Sequence, residues 1–151
     1  MLTRRTLLTA ALAAPALTLL PRTAMAADPY VNASGGLAIE GIDPVAYFTE
    51  GGPRPGSADH TLMWEGAEWR FVSAENMALF EADPKAYAPQ YGGYCAYAVS
   101  QGYTAPIDPE AWTIHEDKLY LNFSRRVRRI WERDIPGHIA SANANWPTVL
   151  G

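Results

Sequence analysis

The residue with the most distinctive chemistry is Cys95, the only cysteine among 151 residues. It lies in the stretch 91–99, YGGYCAYAV, inside a run from 87 to 103 that carries five of the eight tyrosines. The Gly-Gly pair predicts a break, and the apolar residues after it predict a short helix. Cys95 is then expected in its first turn, where backbone N–H groups favour a thiolate.

A lone cysteine cannot form an internal disulfide. In an oxidising compartment such a residue is buried, reactive, paired with another chain or bound to a ligand. The aromatic residues nearby predict a ligand pocket lined by Tyr47, Tyr91, Tyr94 and Trp112, with Cys95 at its floor. The alternative is that these rings only pack around a helix, with the tyrosine hydroxyls at the rim.

A transition-metal site is a second possibility for Cys95, and it needs several donors that converge. We expect His60 and Met63 to be the other donors, because they are close together beside a predicted strand. His115 and His138 are expected at the surface. No two histidines have the spacing of a helical pair or a short loop, so the fold would have to assemble a copper or similar site.

Catalysis by a cysteine nucleophile requires a base near the thiol, oriented by a third group. No residue near Cys95 in the sequence is such a base. The sequence therefore assigns no catalytic residue, and a cysteine-dependent periplasmic enzyme is an alternative rather than the leading hypothesis.

The N-terminus has the features of an export signal. Arg4 and Arg5 precede an apolar stretch at 7–20, and Ala-Met-Ala at 24–26 is typical of a cleavage site. The apolar stretch is too short for a membrane span, so 1–26 is predicted to be a cleaved signal peptide. The segment TRRTLL at 3–8 also resembles a twin-arginine signal. We expect the mature chain to begin near Ala27 and to work in a bacterial periplasm.

The mature chain is acidic. Removal of 1–26 leaves 9 bases against 16 acids, a net charge of −7 over 125 residues, which argues against nucleic acid as a partner. Five of the nine bases are on one predicted helix: Arg125, Arg126, Arg128, Arg129 and Arg133. These arginines form either a solvated helix face or a docking patch for an acidic protein or anionic lipid.

The remaining pattern predicts an α+β domain over 37–151, after a flexible lead-in at 27–36. Two hairpins, at 60–72 and 112–121, are expected to form a small antiparallel sheet packed with several short helices. Ser73 and Ser124 are predicted helix caps, and Asp-Pro pairs at 43–44, 83–84 and 108–109 are predicted helix starts. No second apolar segment is long enough to span a membrane.

Three segments carry a family resemblance: DPVAYF at 43–48, WRFVS at 69–73, and the helix to Phe80 followed by DPKAY at 83–87. Together they resemble a YHS domain, a small module found near heavy-metal transporters and in exported proteins. The resemblance covers about 41–87. YGGYCAY at 91–97, IDPEAW at 107–112 and NWP at 145–147 resemble an exported subgroup, which extends it to most of the mature chain.

Metal-associated YHS domains have Asp-Pro-Val-Cys and, later, Phe-Cys-Ser-x-x-Cys-x-x-x-Phe. The corresponding cysteine positions here are Ala46, Val72 and Asn76, so a thiolate cluster of that type cannot form. The resemblance implies an exported, non-enzymatic binding protein that handles a metal such as copper, with Cys95 belonging to a different site. A structural or protein-interaction module without a ligand is the other alternative.

Overall fold

The computed structural model describes residues 26–151, so the predicted signal peptide lies outside the described residues except for Ala26. Over this range the chain is α+β, as the sequence predicts. No helix within 26–151 combines the length and the apolar character that a membrane crossing requires.

The first predicted hairpin is confirmed as part of a four-stranded sheet. Glu65 and Gly66 connect its two strands with φ of 50° and 75°, which is the conformation of a tight two-residue hairpin turn. Leu37 pairs with Glu68 in parallel orientation, which adds an N-terminal ribbon to this hairpin. The strand order is β1-β2-β4-β3, with β1 at Ala33–Ser34, β2 at Leu37–Ala38, β3 at Ser57–Trp64 and β4 at Ala67–Phe71.

The second predicted hairpin is also confirmed, but it forms a sheet of its own. Strands β5, Asp108–His115, and β6, Lys118–Asn122, pair only with each other among the described strands. The expectation of one antiparallel sheet built from both hairpins is thus corrected. The main contacts of β6 outside its own hairpin are with helical segments, which pack against it in place of a strand of the first sheet.

The helices are short, and three of the six begin at predicted caps, namely Ser73, Asp83 and Ser124. The Ser73 and Ser124 hydroxyls accept hydrogen bonds from the N–H groups of Asn76 and Val127, at 3.1 Å each. The six α-helices within 26–151 are α1 at Ala46–Thr49, α2 at Ala74–Ala82, α3 at Pro84–Tyr87, α4 at Ala96–Ser100, α5 at Arg125–Trp131 and α6 at Ile135–Asn145.

Asp108 is an exception, because its predicted role as a helix cap is wrong. Strand β5 begins there, and the Asp108 carboxylate accepts a hydrogen bond from the Glu110 N–H at 3.0 Å. The carboxylate thus closes a local turn at an irregular part of the ladder with β6. An Asp-Pro pair fits such a turn as well as a helix start.

The segment 27–36 differs from the flexible lead-in that its composition predicts. Val31 is buried, and Asn32 donates its backbone N–H to the Gly92 carbonyl at 2.8 Å. Because β1 also lies in this segment, it is part of the folded domain. It brings Tyr30 next to the 91–93 turn.

Candidate functional site

Cys95 lies in the core, with a side chain that is 1% exposed. It precedes the five-residue helix α4 as the cap residue rather than lying in its first turn. The Phe123 N–H donates to the Cys95 Sγ at 3.2 Å, and the thiol lies 3.6 Å from the Asn122 Oδ1. Asn122 is the last residue of strand β6 and Phe123 follows it, so the thiol connects the start of α4 to the second sheet.

The expected preference for a thiolate at Cys95 is wrong. Burial raises the pKa of the Cys95 thiol, and this outweighs the lowering effect of the backbone N–H groups of Ala98, Phe123 and Tyr97. Removal of the thiol from water disfavours its charged form more than the N–H groups favour it. The resting sulfur is therefore a protonated thiol, which is a weak nucleophile and a weak metal ligand.

One side of Cys95 reaches an apolar pocket of about 270 Å³. Two aromatic side chains at this pocket, Tyr103 and Phe123, are half exposed. The other residues that line it are Tyr97, Ala98, Ala105 and Val127. This pocket contains none of the four aromatic residues that the sequence predicts around the thiol.

Those four residues divide into two groups. Tyr47 and Trp112 pack against each other with ring centroids 5.5 Å apart, and the Tyr47 hydroxyl donates to the Pro109 carbonyl at 2.9 Å. Tyr91 and Tyr94 instead belong to a second apolar cluster that includes Trp146. Cys95 and Tyr91 thus line two different cavities.

The predicted metal donors also differ in their burial and lie on different strands or beside them. The Met63 side chain is 72% exposed on β3, and His60 lies in the same strand, whereas Cys95 is buried beside β6. Within 26–151 no group of three or more His, Cys, Asp and Glu side chains is arranged to hold a metal ion. The two other histidines are half-buried, and His138 lies 3.3 Å from the Ser100 hydroxyl.

A second cavity in the described part of the chain is a cleft of about 450 Å³ beside the 91–93 turn. Its aromatic walls come from segments distant in the sequence: Tyr30, Trp64, Trp69, Tyr91 and Trp146. Polar side chains line the remainder: Glu65, Lys85, Gln90, Lys118 and Asn143. We call this site the aromatic cleft. A volume of this size and a mixed lining of this kind are typical of small-molecule sites.

The backbone at 91–93 is shaped to build the aromatic cleft. Tyr91 has φ of 58° and ψ of 40°, a left-handed conformation that is uncommon for a residue with a side chain and that often marks functional sites. Gly92 follows with φ of 61°, and a Cβ at this position would collide with the Tyr30 carbonyl oxygen. The glycine thus lets the N-terminal segment approach closely, and Tyr30 packs edge-on against Trp146 at 5.4 Å.

Tyr91 is held in place by a hydrogen bond at the edge of the cleft. Its hydroxyl donates to the Asn143 Oδ1 at 3.0 Å. Burial, and to a smaller extent Tyr120, raises the pKa of Tyr91 well above its usual range, so the hydroxyl stays protonated and remains a donor. This bond joins the 91–93 turn to α6 across the aromatic cleft.

The five arginines at 125–133 do not act alike. Arg128 donates to Glu132 at 2.8 Å and to Thr113 at 3.0 Å, and Arg125 lies 3.5 Å from Glu110. Three exposed arginines form no ion pair within 4.0 Å with the residues of 26–151: Arg126, Arg129 and Arg133.

Comparison of the chain with protein-family models, with curated proteins and with solved structures found no match. The site residues are therefore assigned on geometry alone. The sequence indicates Tyr91 as a site residue but gives no such indication for Tyr30, Trp64, Trp146 or the two lysines. One feature of the sequence could have indicated the two lysines, since they are the only lysines of the chain. Their location at the same cleft, however, can be seen only in the folded structure.

Proposed function

We propose that the mature chain is a non-enzymatic binding protein that holds a small organic ligand with a flat ring in the aromatic cleft. The observation that carries this proposal is the cleft itself: about 450 Å³, with five aromatic side chains in its lining. Flat aromatic surfaces stack on such walls and contribute about 0.5–1.5 kcal/mol per ring pair beyond burial. The Tyr91–Asn143 hydrogen bond holds one wall in place before a ligand arrives.

The proposal can be tested by filling the cleft with a large side chain. Gln90→Trp places a large ring at the half-buried lining residue Gln90, and Gln101→Trp adds the same ring at an exposed position outside the cleft. We expect 2-naphthamide, a neutral planar probe, to bind the wild type and Gln101→Trp in calorimetry and to lose affinity at least tenfold in Gln90→Trp. Equal affinity in all three proteins would show that the cleft is not the binding site.

The proposal includes export and a YHS-type domain, on the support of the sequence features at 1–26 and 41–87. If the signal is of the twin-arginine type, we expect the mature protein in the periplasmic fraction with its N-terminus near Ala27. Replacement of Arg4 and Arg5 by lysines should retain the precursor in the cytoplasm. Normal export of that variant would contradict the twin-arginine route.

Copper handling through Cys95, with His60 and Met63, stays a prediction of the sequence. A buried protonated thiol must lose its proton to bind a metal, and the metal must supply the free energy to expose it. Protein purified from its native compartment, compared with Cys95→Ser, tests the idea directly. Equal and negligible copper in both proteins would reject it.

A second function is favoured by Arg126, Arg129 and Arg133, which form no ion pair with the residues of 26–151. We propose that they form a docking patch for an acidic protein segment, since they are a concentration of positive charge on a predicted mature chain of net charge −7. Poly-glutamate should bind the wild type in low salt and dissociate as salt is added. Arg129→Glu should weaken this binding, whereas Arg54→Glu, on a different part of the surface, should have little effect. Equal effects of both substitutions would point to net charge rather than a patch.

A further inference from the structure

Both lysines of the chain line the aromatic cleft. Lys85 lies in α3 and Lys118 begins β6, and these two elements are in contact. The described residues have a surplus of acidic groups, with 16 acids against 9 bases, and the two lysines are among those nine. Two cations at one small cavity of an acidic protein are therefore unusual, and they indicate that the ligand of the cavity is negatively charged.

Neither lysine forms an ion pair with another residue of 26–151. Among residues 26–151, the Lys85 and Lys118 ammonium groups have no carboxylate within 4.0 Å. Glu65 is the one acidic residue in the cleft lining. Because Glu65 forms no ion pair with either ammonium, both lysines are available to a ligand as far as the residues of 26–151 are concerned.

The Asn143 side chain adds a hydrogen-bond donor to the lining of the cleft. Its Oδ1 accepts the Tyr91 hydroxyl at 3.0 Å, which assigns the amide oxygen to the protein side of the contact. The Nδ2 group therefore keeps two N–H donors for other partners. With two ammonium groups and this amide, donors outnumber acceptors among the oriented or charged groups of the cleft, and a ligand that accepts hydrogen bonds fits best.

We propose that the ligand of the aromatic cleft is an organic anion: a flat aromatic or heteroaromatic ring that bears a carboxylate. The ring stacks on the Trp64, Tyr91 and Trp146 side, and the carboxylate lies between the Lys85 and Lys118 ammonium groups. This inference rests on the proposed binding function, and it narrows the class of ligand. A neutral ring would fill the same walls but would leave both ammonium groups unused.

The test compares two probes of the same shape, 2-naphthoate and 2-naphthamide, by calorimetry at low ionic strength. We expect naphthoate to bind the wild type roughly fivefold more tightly, since each partly exposed ion pair contributes modestly. The Lys85→Gln/Lys118→Gln variant should bring the two affinities together by weakening naphthoate alone. Arg133→Gln, which removes an exposed charge elsewhere, should keep the wild-type preference. Both lysines are exposed, so the fold is expected to survive their substitution.

The outcomes separate this inference from the proposed function. Equal affinity of the two probes for the wild type, lost in Gln90→Trp, would overturn the anion preference and leave a cleft that binds neutral rings. A naphthoate preference that persists in the double lysine variant would also overturn it. Absence of binding by both probes would reject the inference and the binding function together.

Discussion

Asn76 donates a side-chain N–H to the Asp43 Oδ2 at 2.8 Å, and both residues are buried. The same carboxylate accepts from the backbone N–H groups of Val72 at 2.9 Å and Ala46 at 3.2 Å. Ala46, Val72 and Asn76 are the positions that the predicted resemblance to metal-associated YHS domains matches to the cysteines of that family. In this chain these positions lie around one carboxylate, and hydrogen bonds occupy the space in which that resemblance would place a thiolate cluster.

We expect Asp43→Asn to destabilise the fold by about 3 kcal/mol, because it replaces one acceptor oxygen by an NH₂ group that faces existing donors. Asp43 joins the start of α1 to the end of β4 and to α2, so its loss affects three elements. Urea denaturation of this variant and of Asp59→Asn, an exposed acid in β3, gives the comparison. A similar small change in both would show that the buried network contributes little.

The sequence predicts the local parts of this fold well. Ser73 and Ser124 cap helices through bonds that span three residues, and the Glu65-Gly66 turn needs only its two neighbouring strands. The pairing of Leu37 with Glu68 and the separation of the second hairpin depend instead on contacts between distant segments. Asp108 shows the limit of local reasoning, since one Asp-Pro signal is compatible with both a helix and a turn.

The candidate site was harder to predict than the fold, for the same reason. Cys95 is distinctive as the lone cysteine, but its burial follows from how β6 and α4 pack, which no local pattern encodes. The aromatic cleft joins Tyr30, Trp64 and Trp146, which are tens of residues apart. Tyr91 is the one member of the predicted pocket that also lines the cleft.

We expect the Cys95 thiol of the folded protein to react slowly with iodoacetamide at neutral pH. Its pKa is raised by burial, and it is 1% exposed, so both the thiolate fraction and the access of the reagent are small. The labelling rate measured by mass spectrometry should rise sharply in urea. Fast, pH-dependent labelling of the native protein at neutral pH would instead support the cysteine-dependent enzyme.

We expect the protein to lose stability in alkali as tyrosines ionise on unfolding. Burial raises the pKa of Tyr47 and of Tyr91, so the folded state keeps two protons that the unfolded state releases above about pH 10. Their contribution is complete below that pH and declines as pH rises further. Between pH 9 and pH 11, the unfolding free energy of Tyr47→Phe should therefore fall less steeply than that of the wild type, because the variant lacks one of these ionisable groups. Tyr30→Phe, at an exposed ring, is the matched control, and identical pH profiles for the two variants would contradict the prediction.

We expect Gly92→Ala to destabilise the protein far more than Gly51→Ala. Both glycines have positive φ, 61° and 73°, so each substitution costs about 1–2 kcal/mol in backbone strain. Only at Gly92 does the added Cβ also collide with the Tyr30 carbonyl, whereas nothing lies within 4 Å at Gly51. Displacement of the Tyr30 segment should add roughly 1–3 kcal/mol of overpacking and open one wall of the aromatic cleft.

Two measurements on these glycine variants separate strain from close approach. Urea unfolding gives the difference in stability, and calorimetry with 2-naphthoate gives the effect on the cleft. Gly51→Ala should bind the probe as the wild type does, because its site lies outside the cleft lining. Gly92→Ala should bind it weakly even in buffer where the protein remains folded, since Tyr30 can no longer lie against Trp146. Unchanged affinity in a folded Gly92→Ala protein would mean that the N-terminal segment is not a wall of the ligand site.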